Sequence, residues 1–221
     1  MNIDDAILLL QKHNNYLADE PDNFIGNLRP YSGIRKAYFS EIVKAIYFAA
    51  PLLNQPHVDR DTIHLIWDMT RGARLLTQPP HEPHFHGRHF ISAEDKQTLD
   101  RWIYMLEELT LDLLRGLEPW EPIGWQIPWE MTQYDSIVDP AWLTEPLMKS
   151  LESFLDNQAD GVLLDDDQIM LCNALGMIGA DAASAISLLQ QVAEASRYEP
   201  ARTAAQNAIA TINRSAAERS E

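Results

Sequence analysis

A heptapeptide that returns after 34 residues constrains the fold of this chain more than any other feature. Asn173-Ala174-Leu175-Gly176-Met177-Ile178-Gly179 is matched by Asn207-Ala208-Ile209-Ala210-Thr211-Ile212-Asn213, with Asn, Ala and an aliphatic pattern at corresponding positions. Between the two copies, Asp181–Ser196 has a helical period of its own. Helix, short turn, helix, short turn, helix is the order of a stacked helical repeat, in which each unit buries its apolar face only against its neighbours.

Local signals agree with that order. Asp165, Asp166 and Asp167 suit a helix start, where acidic side chains favour the macrodipole. Ile169, Cys172, Leu175 and Ile178 then share one face. Gly179 stands where a left-handed terminal residue is needed, since it lacks the Cβ that penalises that conformation. Asp181 is expected to cap the next helix, whose apolar face is Ala182, Ala185, Ile186, Leu189, Val192 and Ala193. Pro200 fits the first turn of a third helix, where its missing N–H costs nothing. Ala204, Ala205, Ala208, Ile209 and Ile212 follow at helical spacing, and small residues on facing surfaces let helix axes approach closely.

On these residues, 165–213 resembles the HEAT-like repeats, especially the short kind found in phycobilisome-lyase-type proteins. The 34-residue period is shorter than the ~40–47 residues of HEAT units and suits tetratricopeptide repeats, whose Trp and Tyr signature is missing here. The resemblance implies stacked helix pairs and an extended protein-binding surface.

The rest of the chain also reads as helical. Helices are expected over residues 3–17, with Ile7, Leu8 and Leu10 inward; from a Ser32 cap to a stop at Pro51; and from Asp59 or Asp61 onward, with Ile63, Ile66, Trp67 and Thr70 inward. The second of these is apolar nearly all round, which places it at the centre of a bundle. A further helix begins near Ser92 and ends at Gly116, with Leu99, Trp102, Ile103, Leu106, Leu109, Thr110 and Leu113 inward and Asp112 outward. Residues 139–157 are helical with a division expected at Pro146. No sustained two-residue alternation of β-branched residues occurs. The expected fold is therefore all-α: a helical part over 1–116, a Trp/Pro-rich connector over 117–138, and a HEAT-like part over 139–221.

The net charge is −16, and the acidity is spread along the chain. Residues 1–134 hold 12 basic and 19 acidic side chains, net −7; the remainder holds 5 and 14, net −9. Such a balance argues against nucleic acid, which is bound by releasing counterions with Lys and Arg, and against an anionic membrane surface. It favours encounter with a basic protein. A single cysteine, Cys172, excludes an intrachain disulfide and points to a reducing compartment. Met1-Asn2-Ile3-Asp4-Asp5 lacks the basic start of a signal peptide, and no apolar run is read as long enough to span a bilayer. A cytoplasmic location is expected.

Candidate chemistry is sparse. His81, His84, His86 and His89 lie within nine residues and are the natural ligands to consider for a transition metal. Two prolines and a glycine interrupt the stretch, however, and no second Cys or His cluster answers it. His81-Glu82-Pro83-His84 falls one residue short of the zinc-protease spacing. No metal or other cofactor is expected. Glu41 inside the apolar helix is expected to pair with Lys44. An Arg71-Gly72-Ala73-Arg74 spot suggests a buried or paired arginine. No nucleophile–base arrangement, phosphate-binding glycine loop or dinucleotide fingerprint is present.

The connector carries the remaining functional weight. Trp120, Trp125, Trp129 and Tyr134 are rings of the kind that anchor interfaces, and Glu118, Glu121 and Asp135 lie beside them. The polar side of the helix over 181–196, with Ser187, Gln191 and Glu194, is the second candidate surface. Size, acidity and repeat type together suggest a non-catalytic binding protein, by analogy a bacterial immunity protein that covers a basic toxin domain. The competing expectation is a lyase- or hydrolase-like or metal-binding protein that uses the histidine loop.

Overall fold

A computed structural model describes residues 1–15, 22–28, 31–77, 91–119, 140–156 and 165–220. Among the described residues the secondary structure is helical, and the only β feature is an isolated bridge between Leu28 and Tyr31. The fold is all-α. The chain divides into two compact units, Met1–Pro119 and Trp120–Glu221.

The described residues of the first unit form four helices. In α1 (Ile3–His13), Asn2 and Asp5 form a reciprocal capping box, the Asp5 N–H donating to Asn2 Oδ1 at 2.8 Å. Its buried stripe is Ala6, Leu10 and His13, at one-turn spacing; Leu8, expected inward, points to solvent. Helix α2 (Lys36–Leu53) buries residues all round and packs against α1, α3 and α4, as its lack of a polar face requires. Ser32 does not cap it. Gly33 at φ +106° turns the chain between them, so the Ser32 hydroxyl donates back to Asn27 Oδ1 at 2.7 Å and Arg35 takes the cap position. Pro51 does not stop α2 either. It lies in the last turn with its ring exposed, so any disruption falls at the helix end.

Helix α3 (Arg60–Thr77) is capped by Asp59, whose Oδ2 accepts from the Thr62 N–H at 2.9 Å. Its core stripe is Thr62, Ile66, Met69, Thr70, Ala73 and Thr77. Trp67 sits about 100° past that stripe and is 59% exposed, contrary to the inward position expected of it. Helix α4 (Ala93–Leu114) starts at Ser92, whose Oγ accepts from the Asp95 N–H at 3.0 Å, and ends at Gly116 with φ +83°. Trp102 is wholly buried and stacks on Phe39 of α2, ring centroids 4.6 Å apart and planes 7° from parallel. Asp112, expected outward, is buried beside Arg115, with 3.0 Å between charged atoms.

In the second unit a 3-10 turn (Pro140–Leu143) leads into α5 (Thr144–Asp156). Pro146 falls in the first turn of α5, where proline is tolerated, and so does not divide it. Helix α6 (Asp165–Ile178) is followed by a 3-10 segment (Gly179–Ala185), α7 (Ile186–Ala195) and α8 (Glu199–Glu218), which carries Pro200 in its first turn. By length and composition the stretch Asp166–Ala195 is apolar enough to cross a membrane, which corrects the sequence expectation. It is interrupted at Gly179, φ +70°, and Leu171, Cys172, Leu175, Leu189 and Val192 along it are fully buried within the chain.

Helices α6 and α8 pack side by side and run parallel. Gln168 Oε1 accepts from the Ser196 hydroxyl at 2.9 Å just before α8 begins, Gly176 lies against Ala208, and Gly179 lies against Ser215. The two copies of the repeated heptapeptide are therefore laid alongside each other. A Cβ built on Gly176 would stand 3.1 Å from Ala208 Cα. Larger side chains have no room there, so Gly176→Leu is expected to force α6 and α8 apart and destabilise the fold by about 2–3 kcal/mol. Urea denaturation followed by circular dichroism measures this; a loss below about 0.5 kcal/mol would show that the helices are not in contact there.

Candidate protein-interaction surface

Charge separates the two units more sharply than it separates the halves of the sequence. Trp120–Glu221 holds 16 acidic and 5 basic residues, net −11, while Met1–Pro119 holds 17 and 12, net −5. In the acidic unit the apolar side of each helix is used up by packing. Leu188, Leu189 and Val192 of α7 and Ala201, Ala204, Ala205, Ala208 and Ile212 of α8 are buried. On α7 and α8 the outward side chains are mainly polar, while Met177 of α6 is an exposed apolar one, at 54%. Ser187, Gln191 and Glu194 are exposed at positions i, i+4 and i+7 and form one ridge along α7. Asn207, Thr211, Asn213 and Arg214 are exposed on α8.

A groove of about 370 Å³ lies between α5 and the 3-10 segment. Ala141, Thr144 and Met148 lie along it, with Glu145, Lys149, Glu152, Asp181 and Ser184. Two of these carboxylates are already engaged. Lys149 pairs with Glu145 at 2.9 Å, and Arg219 makes a two-pronged contact with Asp181 at 2.7 and 2.9 Å. The Arg219 hydrogen bonds hold the Asp181 carboxyl below the usual carboxylate range. Asp181 thus ties the end of α8 to the turn after α6 rather than capping a helix, and α7 starts at Ile186 without a side-chain cap. At the start of α6, burial and then the neighbouring Asp166 push the Asp167 carboxyl up.

Two groups with catalytic credentials are committed elsewhere. His13 is wholly buried, and its ring is held at both nitrogens. The Phe24 N–H donates to Nδ1 at 3.2 Å, which makes Nδ1 the acceptor, so Nε2 carries the proton donated to Glu41 at 2.8 Å. Glu41 also takes Lys12 Nζ at 3.1 Å, and these two partners replace the expected pairing with Lys44. The His13 hydrogen bond lowers the Glu41 carboxyl despite its partial burial. With no nitrogen free, His13 joins α1 to α2 and the 22–28 turn instead of serving a substrate. Cys172 is buried, and burial pushes its thiol up to about 12, far from a thiolate at neutral pH.

Of the residues singled out in the sequence, Ser187, Gln191 and Glu194 come together on one ridge, and Glu118 is exposed in the other unit. Trp120, Trp125, Trp129, Tyr134, Glu121 and Asp135, and the histidines His81, His84, His86 and His89, lie outside the described residues. Among the described residues, no group of three His, Cys, Asp or Glu side chains is placed to hold a metal ion. The α5 groove was missed by sequence reasoning, because Glu145, Met148 and Glu152 look like an ordinary amphipathic helix until Asp181 and Ser184 are folded beside them. No protein-family model, curated protein or solved structure matches the chain.

Proposed function

We propose that this chain is a non-catalytic protein-binding module that uses its acidic C-terminal unit to dock on a basic protein partner, in the manner of an immunity protein that covers a bacterial toxin domain. The observation that carries the reading is the concentration of charge: the Trp120–Glu221 unit is net −11 and turns a polar ridge and an acidic groove outward. Two parallel helices in contact at Gly176 and Ala208, with α7 between them in sequence, are the geometry expected of a HEAT-like repeat, whose usual work is protein recognition. The carriers of the chemistry in this reading are the carboxylates of Glu152 and Glu194 together with Ser187 and Gln191. Rim carboxylates set the rate of encounter, and apolar anchors set residence.

The test begins with capture on the immobilised intact chain and identification of the bound protein by mass spectrometry. Association and dissociation of that protein are then measured at low and high salt. A basic partner whose association slows about tenfold or more on raising salt from about 50 to 500 mM, with dissociation changed far less, is the expected result. A neutral or acidic partner, or association indifferent to salt, would refute the proposal.

A further inference from the structure

One face of the Met1–Pro119 unit is untouched by that reading. Helix α3 exposes Trp67 and Leu75, at 59% and 58%, and α4 exposes Tyr104, Leu111 and Leu114, at 56%, 44% and 37%. Positions 67, 71, 74 and 75 share one side of α3, and positions 104, 107, 108, 111 and 114 share one side of α4. The two stripes meet where Arg74 pairs with Glu107 at 2.5 Å, beside a cleft of about 200 Å³ that Trp67, Arg71 and Leu75 help to line. Surface apolar residues are normally scattered singly, and a joined set marks a contact surface.

The charges on this face identify its occupant. Arg71, Arg74, Glu107 and Glu108 cancel, on a chain that is net −16. Arg74 and Glu107 satisfy each other, whereas Arg71 and Glu108 have no hydrogen-bond or ion-pair partner among the described residues. We propose that this face binds a second copy of the chain in a two-fold dimer, with Arg71 of each copy opposite Glu108 of the other. A two-fold contact uses the same patch twice, so it must complement itself. One unpaired cation and one unpaired anion flanking an apolar stripe do so; a stripe suited to an acidic or a basic stranger would carry one sign. Two strongly acidic chains also repel over most of their surfaces, and a locally neutral face is where they can meet. The exposed stripes run about 12 and 15 Å along helices about 10 Å apart, so the face covers a few hundred Å² per copy. That is smaller than the ~800 Å² of a standard interface, which places the dimer among weak, reversible associations.

Sedimentation equilibrium of the full chain from about 1 to 200 µM, the range of weak micromolar association, tests the proposal. The expected result is a monomer–dimer equilibrium that Trp67→Ser weakens at least about tenfold while the circular-dichroism melt is unchanged, because that ring is exposed. Arg71→Glu and Glu108→Arg should each weaken the dimer, and the double variant Arg71→Glu/Glu108→Arg should restore it to within about threefold. A chain that is monomeric throughout the range would overturn the proposal. So would a dimer indifferent to Trp67→Ser, or paired charge reversals that fail to rescue each other.

Discussion

Replacing Trp102 with Ala is expected to destabilise the chain by about 3–5 kcal/mol, the largest single effect in the Met1–Pro119 unit. The indole is wholly buried, and its face lies flat against Phe39 at 4.6 Å, so α4 and α2 share one aromatic contact at the middle of the unit. Truncation removes the transfer energy of the ring and leaves a cavity that helices on either side cannot close without losing their own packing. A domain stable by about 5–15 kcal/mol would lose a large part of its margin. Chemical denaturation followed by far-ultraviolet circular dichroism reads the change without depending on tryptophan fluorescence. Trp102→Phe should recover part of the loss, because a ring remains to stack on Phe39. A loss under about 1 kcal/mol for the alanine variant would mean that the stack is not a core contact.

Leu189→Asp is expected to be comparably damaging in the Trp120–Glu221 unit, by about 3 kcal/mol or more. Leu189 is wholly buried on α7, which packs against α8, α5 and the 3-10 segment. Aspartate there loses the leucine contacts and carries a carboxylate into a buried seam with α8, whose Ala205 and Ile212 are also fully buried. Leu189→Ala separates the two contributions, since it removes the contacts without adding the charge. Thermal melting of the three proteins should rank them wild type, Leu189→Ala, Leu189→Asp. An aspartate variant that melts with the wild type would place Leu189 on the surface. By contrast Ile186 and Ile209, also expected inward from the sequence, are only half-buried, and their aspartate variants should cost less.

Periodicity and caps carried most of the helical reading. Asp59, Ser92, Gly116, Gly179 and Pro200 each act where their local chemistry predicts, because a cap or a left-handed glycine depends on its immediate neighbours. Most of the misplacements have a different cause. Asp181 and Glu41 invite local partners, but each is held by residues far along the chain: Arg219 takes Asp181, and Lys12 with His13 takes Glu41; Ser32 fails as a cap for a local reason, the turn at Gly33. Trp67 looked inward because it sits one residue from Ile66. Whether a helix hides one stripe or two depends on how many neighbours it has, and that is a property of the packed unit. The same holds for the candidate surfaces. The α7 ridge is a helical pattern and could be read in advance, whereas the α5 groove joins residues almost forty positions apart.

Relocating charge tests the role of the acidic unit most directly. Glu152→Lys/Glu194→Lys reverses two exposed carboxylates in Trp120–Glu221, and Glu94→Lys/Asp100→Lys reverses two exposed ones in Met1–Pro119, with the same change in net charge. Association rates of the captured partner with both double variants are compared at low salt, where exposed charges act at greatest range. The expected result is association slowed about tenfold or more by the first pair and by less than about threefold by the second. Equal slowing by the two pairs would mean that only the overall charge matters. Greater slowing by the second pair would put the binding surface on the other unit, and either outcome would contradict the proposed function.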